Sequence, residues 1–500
     1  MNYKMISFIT GRLLVVEGLL MALPLIVSVI YGEYEMLVAF LAPMALLFAI
    51  GLALSLRRPK NMRMNASEGF LTVGLSWVIV SLFGCLPFII SGLIPNFVGA
   101  FFETVSGFTT TGSSVLSAAD FDNLWSPSIA SRGMRGVFLW RSFTNWIGGM
   151  GVLVFVLAIM PQQDMSSSRM VYVMRAEMPG PKIDKIVSTV KKTSGIMYAI
   201  YTAMTLAQVI FLLCGGLGVY ESFCVSFSTA GTGGFSIWAD SMVSFGGVAN
   251  VEYCTCVVSV FMFLFSINFN VYFLLLTGKI ASALFSEELW WFIGIVFTVT
   301  ALITANIYTI YQDLGESLMH AFFQVATIIS TSGFVTADFN LWPNLSKTLL
   351  LILMFIGACA GSTGGGIKVS RLVISVKSAW AEISHMIHPR RIRCIRFEKK
   401  AVDKDTVKGI FAYVVSYGFI FFMSIILIAL FDRPDIETSF SSVASCLNNI
   451  GPGLGAAGPM SNFAFYSPAS LIVLSLDMLF GRLEIFPMMM LFSPSVWRGK

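Results

Sequence analysis

The sequence predicts an all-α polytopic membrane protein: four repeats of one pore-like unit behind an N-terminal two-helix hairpin. Three observations predict it. Of 500 residues, 56% are hydrophobic and only 12% are charged, with a mean hydropathy of +0.81. Soluble domains carry roughly 25% charge, so this chain could not cover a water-facing surface. Long apolar runs follow one another along its length, as helical membrane crossings require. Four glycine-centred segments recur between those runs in one register. A transmembrane barrel would instead show alternating segments of about ten residues.

The candidate spans are residues 7–30, 36–56, 70–92, 136–160, 194–218, 252–276, 289–311, 345–375, 406–431 and 465–492. The first run has no clear small-residue cleavage site, so it is expected to be retained as a helix. It forms the hairpin, residues 1–64, with the second. The repeats are assigned to 65–165, 166–280, 281–395 and 396–500.

An even number of spans puts both termini on one side, and charge says which. Basic residues cluster at Arg57, Arg58, Lys60 and Arg63, then at Arg169, Arg175, Lys182, Lys185, Lys191 and Lys192. The densest cluster is "HPRRIRCIRFEKK", with Arg390, Arg391, Arg393, Arg396, Lys399 and Lys400. The alternate loops are lean or acidic, at Glu33, Glu35, Asp120, Asp122, Asp240, Asp313, Glu316, Asp432 and Asp435. The positive-inside rule therefore places the basic loops and both termini in the cytoplasm. Beside membrane helices, such basic loops serve topology and lipid contact rather than nucleic acid.

The eight cysteines form no CxxC pair and read as helix-packing residues, not as a zinc site or disulfide framework. Two of the three histidines, His385 and His388, sit in one basic loop. No HExxH motif, paired intramembrane carboxylates or nucleophile near a histidine is present, which argues against an enzyme.

The repeated segments are "VSGFTTTGSS", "VSFSTAGTGGFS", "ATIISTSGFVT" and "ASCLNNIGPGLG". They align on Gly112, Gly234, Gly333 and Gly451. Two positions earlier stand Thr110, Thr232, Thr331 and Asn449; six positions earlier stand Ser106, Ser228, Thr327 and Ser445. Each motif follows a stretch too short to cross and precedes another long span. One such loop is an ordinary extracellular turn. Four in register are not.

Irregular backbone at membrane depth must be buried in protein or line a watery cavity. Four re-entrant loops around one axis meet that condition, and their carbonyls can replace the water shell of a cation. A half-helix ending at the loop directs its partly negative C-terminus toward the same point. The loops carry no carboxylate, which favours a monovalent ion over a divalent one. A secondary transporter with broken mid-membrane helices is the competing class, but it predicts inverted rather than same-facing repeats.

These motifs resemble the Trk/Ktr/HKT superfamily of potassium transporters, closest to its bacterial TrkH/TrkG type. "TTTGSS", "STAGTGGFS", "STSGF" and "NNIGPGLG" carry the resemblance, with "LWRSFTNWIGGMGVLVFVLAIMP", "GSTGGGIKVSR" and "GRLEIFP" beside them. It covers almost the whole chain. It implies four M1–pore-helix–M2 repeats related to potassium-channel subunits, a leading hairpin, and one pseudo-fourfold pore per chain. It also implies a homodimer in the bacterial inner membrane. A cytoplasmic ring of TrkA-type regulatory subunits would then bind the nucleotide that this chain does not. By position, the potassium filter would comprise Thr110, Thr111, Gly112 and Ser113; Thr232, Gly233, Gly234 and Phe235; Thr331, Ser332, Gly333 and Phe334; and Asn449, Ile450, Gly451 and Pro452. In plant relatives a serine at the first filter glycine accompanies sodium preference; Gly112 therefore favours potassium. A sodium-coupled or weakly selective member of the superfamily is the alternative.

Two further features lie inside spans. "GACAGSTGGGIK" interrupts the run 345–375 with Gly357, Gly361, Ser362, Thr363, Gly364, Gly365, Gly366 and Lys368. Each glycine costs about 1 kcal/mol against alanine in a helix. A phosphate loop fails because Ile367 separates the last glycine from Lys368 and no strand precedes it. A plain helix kink is one reading; the resemblance implies a flexible gate under the filter. Arg482 lies within the last span, where a charge must face a cavity or a partner. Asp477 and Glu316 are candidate partners. The resemblance implies that this arginine projects into the pore.

Overall fold

The structure, a computed structural model, describes residues 2–56, 59, 65–125, 133–151, 190–388, 390 and 394–498. Several expectations fall outside these residues: the basic residues at 57, 58, 60, 63, 169, 175, 182, 185, 391 and 393, and the expected span beyond residue 151.

The described chain is almost entirely helical. Six helices among the described residues are long and apolar enough to cross a membrane, and a bent pair makes a seventh when taken as one span. The N-terminal pair Tyr3–Ile30 and Tyr34–Ser55 packs as a hairpin. Gly11 and Gly51 let the two backbones come close: a Cβ on either would lie 2.8 Å from the other's carbonyl oxygen. Small residues at helix crossings play this part in membranes, where lipid removes the hydrophobic drive between helices.

Four units follow, each a long helix, a short helix, an extended loop and a second long helix. The first long helices are Ala66–Gly84, Val190–Cys214, Glu287–Tyr311 and Lys404–Phe431. The short helices are Phe97–Phe108, Val219–Gly231, Leu314–Ile329 and Ile436–Leu447. Acids and amides of the lean loops start three of them. Asn96 accepts the N–H of Val98 at 3.1 Å, Asp313 that of Glu316 at 2.7 Å, and Asp435 that of Thr438 at 3.0 Å. These caps satisfy N–H groups that have no partner inside a helix. Hydrogen bonds from Thr438 hold the Asp435 carboxyl below its usual range.

The second long helices depart from the expected spans: among the described residues three of them are interrupted, and the first stops short. The first ends at Gly149, with Gly151 at φ +84°. The run 252–276 is two helices, Val251–Phe265 and Phe269–Leu276, bent by 89°. The third divides into Asn344–Ile356 and Val369–Ile387. The fourth divides into Pro468–Arg482 and Phe486–Leu491, with Glu484 and Ile485 both at positive φ. The glycine run marked only the third unit's break in the sequence.

Candidate functional site

The four short helices end in one way. The N–H groups of Thr110, Thr232, Thr331 and Asn449 bond back to Gly107, Thr229, Ile328 and Cys446 at 3.0–3.2 Å. The next N–H groups, of Thr111, Gly233, Ser332 and Ile450, bond to the carbonyls of Ser106, Ser228, Thr327 and Ser445 at 2.8–2.9 Å. This pair of bonds is a Schellman ending. Its left-handed residue is normally glycine. Here it is threonine or asparagine, with φ of 56°, 54°, 59° and 56°. A β-branched residue in that region is strained and persists only where its surroundings hold it.

Two residues on, Gly112, Gly234, Gly333 and Gly451 again take positive φ, from 64° to 112°. Their missing side chains leave room for the next loop. A Cβ on Gly112 would overlap the carbonyl oxygen of Gly233, one on Gly234 that of Ser332, and one on Gly333 that of Ile450. A Cβ on Gly451 would lie 2.9 Å from the carbonyl oxygen of Thr111. The order closes on itself, first to second to third to fourth to first. The loops thus form one ring around an axis, each glycine against a neighbour's carbonyl.

The outer rim is stitched in the same cyclic order. Arg141 of the first unit donates to the carbonyl of Ser236 in the second at 2.7 Å. Val335 of the third bonds Ser241 and Met242 of the second. Asn340 of the third bonds Gly455 of the fourth through its Oδ1 and Nδ2. Phe463 of the fourth donates to Ser114 of the first at 2.8 Å.

Side chains in the ring do various jobs. Ser113 donates to the carbonyl of Gly451 at 2.9 Å, bracing the first loop against the fourth. Asn449 donates to Thr111 Oγ1 at 3.0 Å and to the carbonyl of Met478 at 2.9 Å. Thr232 donates to the Gly231 carbonyl. Phe235 and Phe334 are fully buried behind the ring, and Pro452 is buried beside Gly451. Sequence reasoning missed an ion pair here. Glu103 and Arg141, 2% exposed or less, meet at 2.6 Å. Glu103 also accepts from the Ser114 hydroxyl and the Val115 N–H, both at 2.9 Å, while Arg141 lies 3.7 Å from the Phe235 ring centroid.

Below the ring, the three helix breaks meet the end of the first unit's helix at Gly149. Cys359 donates to the Ser266 carbonyl and Phe269 to the Gly361 carbonyl, each at 3.1 Å. Thr363 donates to the Phe265 carbonyl at 3.2 Å. Gly357, Gly361 and Gly366 take positive φ, as does Lys368, whose ammonium donates to the Gly364 carbonyl. Ser362 folds back on the Cys359 carbonyl at 2.6 Å. A Cβ on Gly364 would lie 2.7 Å from the Ser330 carbonyl, and one on Gly365 2.5 Å from that of Asn448. The loop is therefore wedged under the ends of the third and fourth short helices. Gly357, Gly366 and their neighbours close its base.

Arg482 spans this level. Its guanidinium donates to the carbonyl of Thr363 at 2.8 Å, to that of Gly149 at 2.7 Å, and to that of Gly148. Three units are thus tied by one cation. Of the two carboxylates considered for it, Asp477 accepts from Ser424 at 2.7 Å and Glu316 stands 3.9 Å from His320. The neighbouring Glu484 pairs with Arg371 of the third unit. A cavity beneath the ring is lined by Gly149, Ser362, Gly365, Lys368, Arg482 and Glu484, among others.

Residues 37–498 match the family model described as TrkH, cation transport protein. This chain belongs to the TrkH family. The Trk system potassium uptake protein TrkH of Salmonella typhimurium is 33% identical over 506 residues, covering all of both chains. That of Escherichia coli K12 is 32% identical, again with full coverage. The crystal structure of the potassium transporter TrkH from Vibrio parahaemolyticus superposes with a TM-score of 0.86 at 28% identity, covering all of both chains.

Proposed function

We propose that this chain is a potassium uptake channel or transporter subunit of the bacterial inner membrane, conducting K+ through the ring of four glycine-centred loops. The observation that carries the reading is the cyclic approach of each ring glycine to its neighbour's carbonyl oxygen. Backbone oxygens brought together in a ring can take the place of an ion's water. Residues at positive φ alternating with residues at negative φ turn successive carbonyls toward one side. The filter is Thr110–Ser113, Thr232–Phe235, Thr331–Phe334 and Asn449–Pro452, with the backbone doing the coordination and Ser113 bracing it.

The glycine-rich loop at 357–368 is the gate, lying across the path below the filter. Arg482 holds that gate through the Thr363 carbonyl and places a positive charge where a cation would pass. The basic loops and both termini face the cytoplasm. There a TrkA-type ring regulates the gate, and two chains pair as a homodimer.

Growth of a potassium-uptake-deficient bacterium on low potassium tests the transport reading. The chain, expressed with its regulatory subunit, restores growth. Failure despite confirmed membrane expression overturns the proposal. Removing residues 361–363 tests the gate: rubidium flux rises in proteoliposomes, and unchanged flux removes the loop from that role.

A further inference from the structure

We infer that Glu288 is the latch that holds the glycine-rich loop across the axis, and that the cytoplasmic hairpin at 396–401 sets it. The inference rests on the gate reading of that loop.

Glu288 belongs to neither the loop nor the helix that follows it. It stands in the first turn of Glu287–Tyr311, and it is 5% exposed. Its Oε1 accepts the N–H of Ala360, inside the loop, at 2.8 Å. The same oxygen accepts the N–H of Ser370, just past the loop, at 3.1 Å. One carboxylate oxygen therefore joins the loop to the helix that carries it away. Ser370 lies in the first turn of Val369–Ile387, where N–H groups have no partner within the helix. A carboxylate is favoured there by the helix dipole, and its hydrogen bonds are stronger than neutral ones. Swinging the loop aside would break at least the Ala360 bond.

The position of Glu288 is set from the cytoplasmic side. Strands Arg396–Phe397 and Lys400–Ala401 pair antiparallel, with Glu398 and Lys399 in the turn at φ 51° and 62°. Such angles are costly for residues other than glycine and mark a turn that its neighbours hold in place. What holds it is the start of the same helix. Glu398 Oε1 accepts the Ser286 hydroxyl at 2.8 Å and the Glu288 N–H at 3.1 Å. In return the Glu398 N–H donates to Glu287 at 3.3 Å. Glu287 also pairs with Lys377, on the helix after the loop, and Lys377 donates to the Arg396 carbonyl at 2.9 Å. The hairpin, the helix start, the loop at Ala360 and the helix after the loop thus make one connected set. Arg396, Lys399 and Lys400 are exposed on the hairpin. A cytoplasmic partner with an acidic face can grip these three and draw Glu398 off the helix end. Glu288 then shifts, and the loop loses its anchor.

The test uses the full chain in lipid nanodiscs and proteoliposomes, without a regulatory subunit. Hydrogen–deuterium exchange is read over residues 357–370, and rubidium flux is read in parallel. In E288Q, exchange speeds up and flux rises about tenfold, the scale set by loss of one charge-assisted hydrogen bond. E288D recovers part of the restraint. E398A shifts both readouts the same way by less, and it carries the test if E288Q fails to fold. The potassium-to-sodium flux ratio stays unchanged in all three, which a general loosening of the filter would not allow. Unchanged exchange and flux in E288Q and E398A, while removal of 361–363 still raises flux, overturns the latch alone. Faster exchange with no change in flux, and a shortened loop that is also silent, overturns the gate reading and the latch with it.

Discussion

The hydroxyl of Thr331 accepts the N–H of Gly365 at 2.6 Å. One bond thus joins the left-handed residue of the third ring loop to the middle of the glycine-rich loop below. Threonine at this position is strained, at φ 59°, and its hydroxyl has a use that glycine could not supply. T331V keeps the shape and removes the acceptor. A buried N–H left without a partner costs about 1–3 kcal/mol. T331V therefore melts earlier in detergent and raises flux, while T331S keeps the bond and resembles the parent. Equal melting of the two variants would show that the bond carries no weight.

Gly112 faces the carbonyl oxygen of Gly233 with no room for a Cβ. G112S must push that oxygen away, which widens or skews the ring at one quarter. Potassium preference over sodium falls, read as the shift in reversal potential under opposed gradients. Unchanged relative permeability would remove Gly112 from the ion path.

Arg482 grips carbonyls in two other units. R482A frees the Thr363 carbonyl and removes the positive charge below the ring, so cation flux rises while the chain stays folded. Lysine keeps the charge but not the fork that reaches several carbonyls at once. R482K falls between the parent and alanine. Flux that stays equal or drops in folded R482A counts against both roles.

The Glu103–Arg141 pair is buried, and its bonds to Ser114, Val115 and Ser236 brace the loops of the first two units. Removing one member strands the other charge, at a cost of about 3–5 kcal/mol. E103Q and R141M each lower thermal stability sharply. The double variant E103Q/R141M recovers part of the loss, because no unpaired charge remains. Additive losses in a double-mutant cycle would mean the two act independently.

Asp435 caps the fourth short helix with a carboxyl held below its usual range by Thr438. A depressed value means its contribution is present at neutral pH and is lost as pH falls through the folded-state value. D435A costs about 1 kcal/mol at neutral pH. The gap between D435A and the parent narrows in acid. A gap independent of pH would show that the cap does not need the carboxylate charge.

The sequence made the ring visible through its columns. Ser106, Ser228, Thr327 and Ser445 stood six places before each glycine, and their carbonyls are the acceptors that end each short helix. The glycine run at 357–366 was equally plain, since five closely spaced glycines cannot continue a helix. The break at residues 266–268 was hidden, because Ile267, Phe269 and Val271 keep hydropathy high across it. Its one local sign is Asn268, whose side chain caps the next helix by accepting from Asn270 at 2.9 Å. Glu103 and Arg141 were separate in the sequence and become partners only when the first short helix packs on the second long one. Nothing in the sequence singles out Glu288. Only the folded loop reveals which N–H groups it holds.

The central claim is that one chain conducts potassium through a ring closed by Gly112, Gly234, Gly333 and Gly451. Bi-ionic reversal potentials test it most directly, with the purified chain and the proposed regulatory subunit in planar bilayers between potassium and sodium solutions. The account predicts a potential that marks potassium as the preferred ion, and its collapse toward zero in G112S. A parent potential already at zero, or one untouched by G112S, would contradict it.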